Sequence, residues 1–388
     1  MNKALITLLP KKLDSSCLSN YRPISLIHIF AKLFAEVLSL RLAPRFGDLV
    51  STNQSAFLSG RCVYDNFLLV QQTARRLHQL KVPCVLLKLD ITKAFDSVSW
   101  PFLLEVLEHL GFGRQWREWV SILISTASMR ILTNGTPGPP VDHACGFRQG
   151  DPISPMLLVL VIDVLKSMLQ AAMRAGILHR LMPQHTTSST SLFDNDVVIF
   201  SHAEPSQLTA IQEILTTFGA ASSLRTNFSK LPLSTRKVHS SALLPRVDKI
   251  SKKLLKWRAS LLSRGERLAL VRHILSAMPV HLLLAMALNT TTHKLITRLI
   301  RDFLRHRCKD VRAGNCLVTW PRICRPIELG GLGVRDLHRT GIALRVRWLW
   351  LMDTDPTCPW RHLPLPCEPE AMQIIRASTT WTIEDGHT

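Results

Sequence analysis

Residues 191–200 read SLFDNDVVIF, two short β-prone runs around a tight acidic turn of Asp194, Asn195 and Asp196. Such a segment predicts a hairpin with carboxylates at its tip. Hairpins join antiparallel strands, so this stretch argues against a regularly wound parallel sheet. CVLLKLD, residues 84–90, adds a short, mostly apolar run ending in Asp90, read as a buried strand with an acid at its end. MRILTNGTPGPP, residues 129–140, supplies a further strand and an Asn-Gly hairpin signal. Helical periodicity surrounds these strands. Residues 24–46 predict an amphipathic helix closed by Pro44. Residues 63–82 predict a second, with Asp65 and Asn66 as caps and a basic end. Helices are also expected at 100–110 and 152–175, and the chain reads helical and basic from 250 to 350. The expected class is α+β, with an antiparallel or mixed sheet.

The chain has 388 residues, 46% of them hydrophobic, which is enough for two or three domains with real cores. The longest apolar candidate for a membrane span, Ile274 to Leu288, contains Pro279 and His281 and falls short of the roughly 20 residues needed. MNKALITLLPKK lacks a signal-peptide layout, so an intracellular chain is expected, without membrane partners. Nine cysteines occur without a C-x-x-C pair and read as reduced thiols. Cys308, Cys316 and Cys324 recur near His306, but at spacings wrong for a zinc finger, and no zinc site is expected.

The net charge of +20 is unevenly spread. Residues 251–350 carry 20 Lys or Arg against five acids, whereas the last 38 residues carry two basic residues and six acids. A basic block of this size points to a polyanion, most simply nucleic acid held by its phosphates. Against this background the acids at strand ends stand out. If the strands ending at Asp90 and beginning near Asp196 are neighbours, their carboxylates converge at a sheet edge. Clustered carboxylates need cations, and oxygen-only ligands favour Mg²⁺ or Mn²⁺. Two such ions, about 3.5–4 Å apart, can activate a 3′-hydroxyl and stabilise a leaving pyrophosphate. With a phosphate-seeking surface, that describes a nucleotide polymerase. Each acid taken alone could equally be a surface turn residue.

From ITLLPKK at 6–12 onward the blocks fall in a familiar order. They include NYRPISLIHIFAKLFAEVLSLRL at 20–42, NQSAFLSGRCVYDNFLLVQQTAR at 53–75 and LKLDITKAFDSVSW at 87–100. GFRQGDPISPMLL at 146–158 and SLFDNDVVIF at 191–200 follow. WRASLLSRGERLALVRHIL at 257–275 and GGLGVRDLHRTGIALRVRWLW at 330–350 complete the series. Together they resemble the reverse transcriptase of plant LINE-type (non-LTR) retrotransposons. The resemblance implies a right-hand polymerase fold, with fingers over 1–84, a palm over 85–232, a helical basic thumb-like region over 233–365 and an acidic tail over 366–388. It implies RNA-directed DNA synthesis from dNTPs, an RNA template, a DNA primer and two Mg²⁺ or Mn²⁺ ions, with the nucleus as location. Asp90 and Asp196 match metal-binding aspartates, joined by the Ile91 carbonyl. Phe95 matches the aromatic beneath the sugar, and Gln149 and Gly150 the pair along the incoming nucleotide and template. Lys11 and Arg22 match residues that hold the triphosphate, a task suited to cations. Asp96 lies beyond the metal site in this pattern and is expected to stabilise the turn or helix that follows.

Two departures bear on activity. The family's turn reads aromatic-Ala-Asp-Asp; here Phe193 is followed by Asp194, Asn195 and Asp196. Asn195 stands where the first aspartate of that pair belongs. An amide keeps one oxygen donor but loses a charge, which against a bound dication is worth on the order of several kcal/mol. That corresponds to roughly thousandfold in rate. Asp194 is a possible compensating acid, although on a regular strand it shares a face with Asp196 rather than with position 195. The second departure is NFSKLPLS at 227–234, which fuses two blocks that the family separates, as though a primer-gripping hairpin were deleted. The chain also starts within the fingers and stops before a Cys/His-rich segment. The resemblance therefore implies a truncated, catalytically impaired copy. Its alternatives are a non-catalytic nucleic-acid-binding remnant and a fossil reading frame without host function.

Overall fold

A computed structural model describes residues 2–11, 17–58, 60–181, 190–193, 196–227, 261–285, 288, 290–305, 318–356, 358–365, 367 and 372–373. The chain separates into two compact units, Met1–Ser234 and Thr235–Thr388. Among the described residues the first holds two sheets and seven helices, and the second is helical.

The first sheet begins with β1 (Lys3–Pro10) and β2 (Tyr21–Ile27), antiparallel from Ala4↔Ile27 to Pro10↔Tyr21. Next comes α1 (Ile29–Leu49). The helix expected over 24–46 is thus displaced. Residues 24–27 are strand because they pair with β1, a long-range ladder that local periodicity does not reveal. Nor does Pro44 close the helix: it lies inside α1, which runs one turn further. Ala35, Leu38, Leu42 and Phe46 are buried along one side of α1 and hold that last turn to the core.

The second helix, α2 (Val63–Gln79), has Cys62 as its N-cap residue, and the Asp65 carboxylate accepts from the Cys62 N–H at 2.8 Å. Asn66 is not a cap. It is buried, and its Nδ2 donates to the carbonyl of Leu192, far along the chain. Then follow β3 (Cys84–Thr92), the short α3 (Ala94–Ser97), α4 (Trp100–His109) and α5 (Arg114–Ser125). Ser99 accepts from Phe102 N at the start of α4, with Pro101 in the first turn where its missing N–H costs nothing.

The strand β4 (Ser128–Thr133) turns at Asn134-Gly135 into β5 (Thr136–Pro137), as the sequence predicts, and β6 (Val141–Asp142) also pairs with β4. β4 runs parallel to β1, so this sheet is mixed, in the order β2-β1-β4-β5. The second sheet combines β7 (Thr190–Phe193), β8 (Asp196–His202) and β9 (Arg225–Asn227) with β3, in the order β7-β8-β3-β9, all antiparallel.

The long α6 (Ser154–Arg174) and α7 (Pro205–Ser222) complete this unit. Leu157, Val159, Val161, Ile162 and Leu165 of α6 are fully buried beside Leu89 and Ile91 of β3 and Val197 of β8. At 21 residues, α6 is the one described helix long and apolar enough to cross a membrane, although Asp163 and Lys166 keep it from forming an uninterrupted apolar run in the sequence. Its apolar window is mostly buried within this unit. Asp163 is anchored as well, accepting from the Ser51 hydroxyl at 2.6 Å.

The second unit contains helices Arg264–Leu270, Val280–Ala285, Thr290–Leu304, Trp320–Ile323 and Leu337–Thr354. A π-helical turn at Val271–Leu275 continues the first of them. Its core joins Val271, Leu275, Leu283, Ile296, Ile300, Phe303, Val334 and Leu337. Among the described residues, two members of the basic block are internal: Arg267 and Arg345 are buried, and Arg345 Nη1 donates to the Leu283 carbonyl at 2.6 Å. Arg264, Lys294, Arg298, Arg322, Arg325, Arg335, Arg339 and Arg347 are exposed. Cys308, Cys316 and nearly all of the expected acidic tail lie outside the described residues. Burial pushes the Cys324 thiol up to about 11, so it is an unreactive, protonated sulfur.

Replacing Asn66 with alanine leaves the Leu192 carbonyl without its buried donor. A loss of about 1–3 kcal/mol is expected, read from urea denaturation of both proteins. An unchanged unfolding midpoint would contradict this role.

Candidate active site

The second sheet places its polar residues in one row. Register pairs Asp90 of β3 with Asp196 of β8, Asp196 with Phe193 of β7, and Asp90 with Asn227 of β9. Residues directly opposite in an antiparallel ladder share a face of the sheet. Four strands thus contribute Phe193, Asp196, Asp90 and Asn227 side by side. Leu89 and Ile91, either side of the half-buried Asp90, are both 1% exposed and fasten the strand to the core. For Phe193, Asp196 and Asn227 only the backbone is described, and Asp194 and Asn195 lie outside the described residues.

Directly after β3, Lys93 adopts a left-handed conformation at φ 49° and turns the chain into α3. The turn carries Phe95 and Asp96 and is gripped by the loop 146–151. Phe147 N donates to the Phe95 carbonyl at 2.5 Å, and Gly146 N to the Val98 carbonyl at 2.8 Å. The Trp100 indole donates to the Gly146 carbonyl at 2.8 Å. Gly146 itself has φ +73°, and a Cβ there would lie 2.5 Å from the Asp96 carbonyl carbon. Only glycine lets the two backbones approach this closely. Phe95 is half-buried and packs against the core of the unit.

Gln149 joins this turn to the other sheet. Its carbonyl accepts from Ser25 N of β2 at 2.9 Å, and its Nε2 donates to the Asp96 carboxylate at 3.4 Å. Asp96, expected to steady its own turn or helix, makes its side-chain contact here with Gln149. Gly150, at φ +108°, lies beside the same strand, where a Cβ would come within 3.2 Å of the Ser25 carbonyl oxygen. Lys11 and Arg22 are exposed near the far end of the β1–β2 ribbon, where Leu9 pairs with Arg22 and Lys11 N donates to the Asn20 carbonyl at 2.8 Å. Asp90 and Asp196 are therefore opposed on one sheet. Phe95, Gln149 and Gly150 are gathered by the 146–151 loop, and the two cations sit on the ribbon to which Gln149 is bonded.

Two supporting groups have roles that the sequence did not suggest. One is the Arg148–Asp151 ion pair, 3.1 Å apart with both side chains buried. Arg148 also donates to Asn2 Oδ1 at 2.5 Å, and Asp151 caps the approach to α6 by accepting from Ile153 N at 3.2 Å. Burial raises the Asp151 carboxyl above its usual range, and Arg148 opposes that rise. The other is the amide pair Asn53 and Asn66, which bond to β7: Asn53 Nδ2 donates to the Thr190 carbonyl at 2.7 Å. Their visible signal is two amides among apolar neighbours in NQSAF and YDNFLL.

Among the described residues, no group of three or more His, Cys, Asp and Glu side chains could hold a metal ion. The row does offer two aspartates at opposed positions, a donor chemistry that fits a hard oxygen-seeking dication. Residues 9–252, well over half of the chain, match the family model for reverse transcriptases (RNA-dependent DNA polymerases), and the chain belongs to that family. That family depends on divalent metal ions, and its right-hand polymerase class is α+β, as this chain is.

The chain is 29% identical to the transposon TX1 uncharacterized 149 kDa protein of Xenopus laevis over 59% of this chain and 17% of that protein. It is 25% identical to the Pol polyprotein of the type-2 retrotransposable element R2DM of Drosophila melanogaster, over 50% and 18%. It is 31% identical to that of a type-1 retrotransposable element R2 of Popillia japonica, over 44% and 24%. These relatives are non-LTR retrotransposon proteins, and the matches span no more than about a quarter of their length. Among solved structures, telomerase from Candida albicans in complex with a telomeric RNA fragment is similar at a TM-score of 0.44 and 11% identity, over 99% of this chain and 67% of that one.

Replacing Arg148 with methionine strands a buried carboxylate. A loss of about 3–5 kcal/mol is expected at neutral pH. A carboxyl whose folded pKa is raised stabilises the fold below its unfolded pKa and loses that contribution as pH rises through the folded value. Without the guanidinium the Asp151 value rises further, so the variant's deficit should shrink as pH falls toward the ordinary Asp range near about 3.9. Urea titrations at several pH values test this; a deficit independent of pH would contradict it.

Proposed function

We propose that this chain is the polymerase portion of a non-LTR retrotransposon reverse transcriptase, and that its nucleotidyl transfer is impaired. The carrying observation is the opposition of Asp90 and Asp196 on neighbouring antiparallel strands, next to a turn whose middle residue is Asn195. In this reading residues 1–84 act as fingers, 85–232 as palm and 233–365 as a thumb-like region. RNA is the template, DNA the primer, and dNTPs the substrates.

Asp90, Asp196 and the Ile91 carbonyl would hold Mg²⁺ or Mn²⁺. When bound, such ions supply positive charge beside the 3′-hydroxyl and the leaving pyrophosphate. Phe95, held by Phe147 and the core, would lie beneath the sugar of the incoming nucleotide and disfavour a 2′-hydroxyl. Gln149 and Gly150 would line the nucleotide and template, their positions set by bonds or close approach to Ser25. Lys11 and Arg22 would meet the triphosphate.

Asn195 would weaken the set because it offers an amide oxygen where the family's turn carries a further full negative charge beside those of Asp90 and Asp196. Asp194 supplies a carboxylate one position away, which on a regular strand would share a face with Asp196 rather than with residue 195. The fusion at 227–234 removes the segment that would grip the primer end. A second reading, a non-catalytic nucleic-acid binder, draws on the exposed arginines and lysines of the second unit.

Primer extension on an RNA template tests the proposal. With Mg²⁺ or Mn²⁺ the chain should incorporate no more dNTP than an Asp90→Ala variant. Robust synthesis that disappears in Asp90→Ala would sink the impairment. The single change Asn195→Asp should not restore high activity, because the primer-end segment is missing too. Full recovery in a steady-state extension assay would refute that second loss.

A further inference from the structure

Outside the acidic row, α1 and the turn between α4 and α5 line an open cleft of about 390 Å³. Arg41 and Arg45 form one wall, one helical turn apart on α1. Phe112 and Trp116 form the other, their ring centroids 4.5 Å apart at an interplanar angle of 34°. Both arginines are exposed, and among the described residues neither has an ion-pair partner. Arginines just outside the cleft are engaged: Arg114 bonds Glu118 at 2.8 Å and Arg117 bonds Glu108 at 2.9 Å. The cleft is thus lined by two arginines without an ion-pair partner among the described residues and by two half-buried aromatic rings that also pack against the core, with Asp48 as its one acid.

We propose that this cleft binds a nucleotide within a single-stranded nucleic acid. A guanidinium suits phosphate oxygens because its planar fork can bind them bidentately, and two of them match the repeated charge of a strand. An aromatic wall accepts a base face, which only an unpaired strand can offer because duplex bases stack on one another. The volume lies within the range of small-ligand sites, about 300–1,000 Å³. None of these residues belongs to the Asp90–Asp196 row or to the basic second unit.

Photocrosslinking tests it. A short unstructured RNA carrying 5-iodouracil is irradiated with the full chain, and the adducts are mapped by mass spectrometry. Adducts should form on Phe112 or Trp116, and the double variant Arg41→Gln/Arg45→Gln should reduce them at least about tenfold without changing the melting temperature. Losing two phosphate contacts should also lower the slope of log affinity against log salt for that RNA by about 1.4. Absence of adducts at 110–116 while other peptides are labelled would overturn the proposal, as would labelling that the double variant leaves intact. Competition by UMP equal to that of the RNA at the same nucleotide concentration would overturn the assignment to a strand. Equal competition by duplex RNA would do the same. Because labelling does not require catalysis, loss of this site and loss of polymerase activity are separately readable.

Discussion

The ladder between β3 and β8 is the constraint on which the first unit depends. It runs without interruption from Cys84↔His202 to Asp90↔Asp196. Alternate residues of a strand face opposite ways, so a slip by one position would turn Leu87 and Leu89 out of the core and move Asp90 to the other side. Burial on the α6 side therefore fixes the register, and the register fixes which acid meets which. The placement of Asp90 opposite Asp196 is a by-product of packing Leu89, Ile91 and Val197, all nearly or fully buried, against α6. The same coupling reaches the 146–151 loop, because Phe147 belongs to that core and its backbone holds Phe95.

Much of this was legible in the sequence, for identifiable reasons. The hairpin around 194–196, the strand expected to end at Asp90 and the Asn-Gly turn carry strong local signals, and the structure has strands in all three places, although β3 continues past Asp90 to Thr92, where it pairs with β9. β2 was not legible. YRPISLI continues the apolar pattern of α1 and becomes a strand only because β1 lies beside it. The extent of α1 beyond Pro44 was hidden for a related reason: tertiary burial of Phe46 outweighs the missing N–H of one proline. For the site, the acidic positions could be read from type and spacing. Asn66 as a strand anchor and Arg148 as the partner of Asp151 could not, since both are defined by contacts or burial that a linear pattern does not specify.

The positive charge of the chain divides into structural and available parts. Arg148, Arg267 and Arg345 are interior, where each is held by a partner or by backbone and is not free to contact a phosphate. Arg41, Arg45 and the exposed arginines of the second unit remain open to solvent. A net charge read from composition therefore overstates the phosphate-binding surface. Acids can coexist with so basic a chain because the row at Asp90 is set by backbone pairing.

The amides on β7 have a consequence beyond holding a hairpin. β7 is the last strand on its side of the second sheet, and such a strand would ordinarily offer a row of open N–H and C=O groups to any passing chain. Here Asn53 and Asn66 occupy the Thr190 and Leu192 carbonyls, and Leu192 N donates back to the Asn53 carbonyl at 3.3 Å. Gln54 lies alongside Leu192 as a single bridge pair rather than as a strand. Among the described residues that edge is covered by a segment too short and irregular to act as a strand itself, which disfavours edge-to-edge addition of a second molecule there.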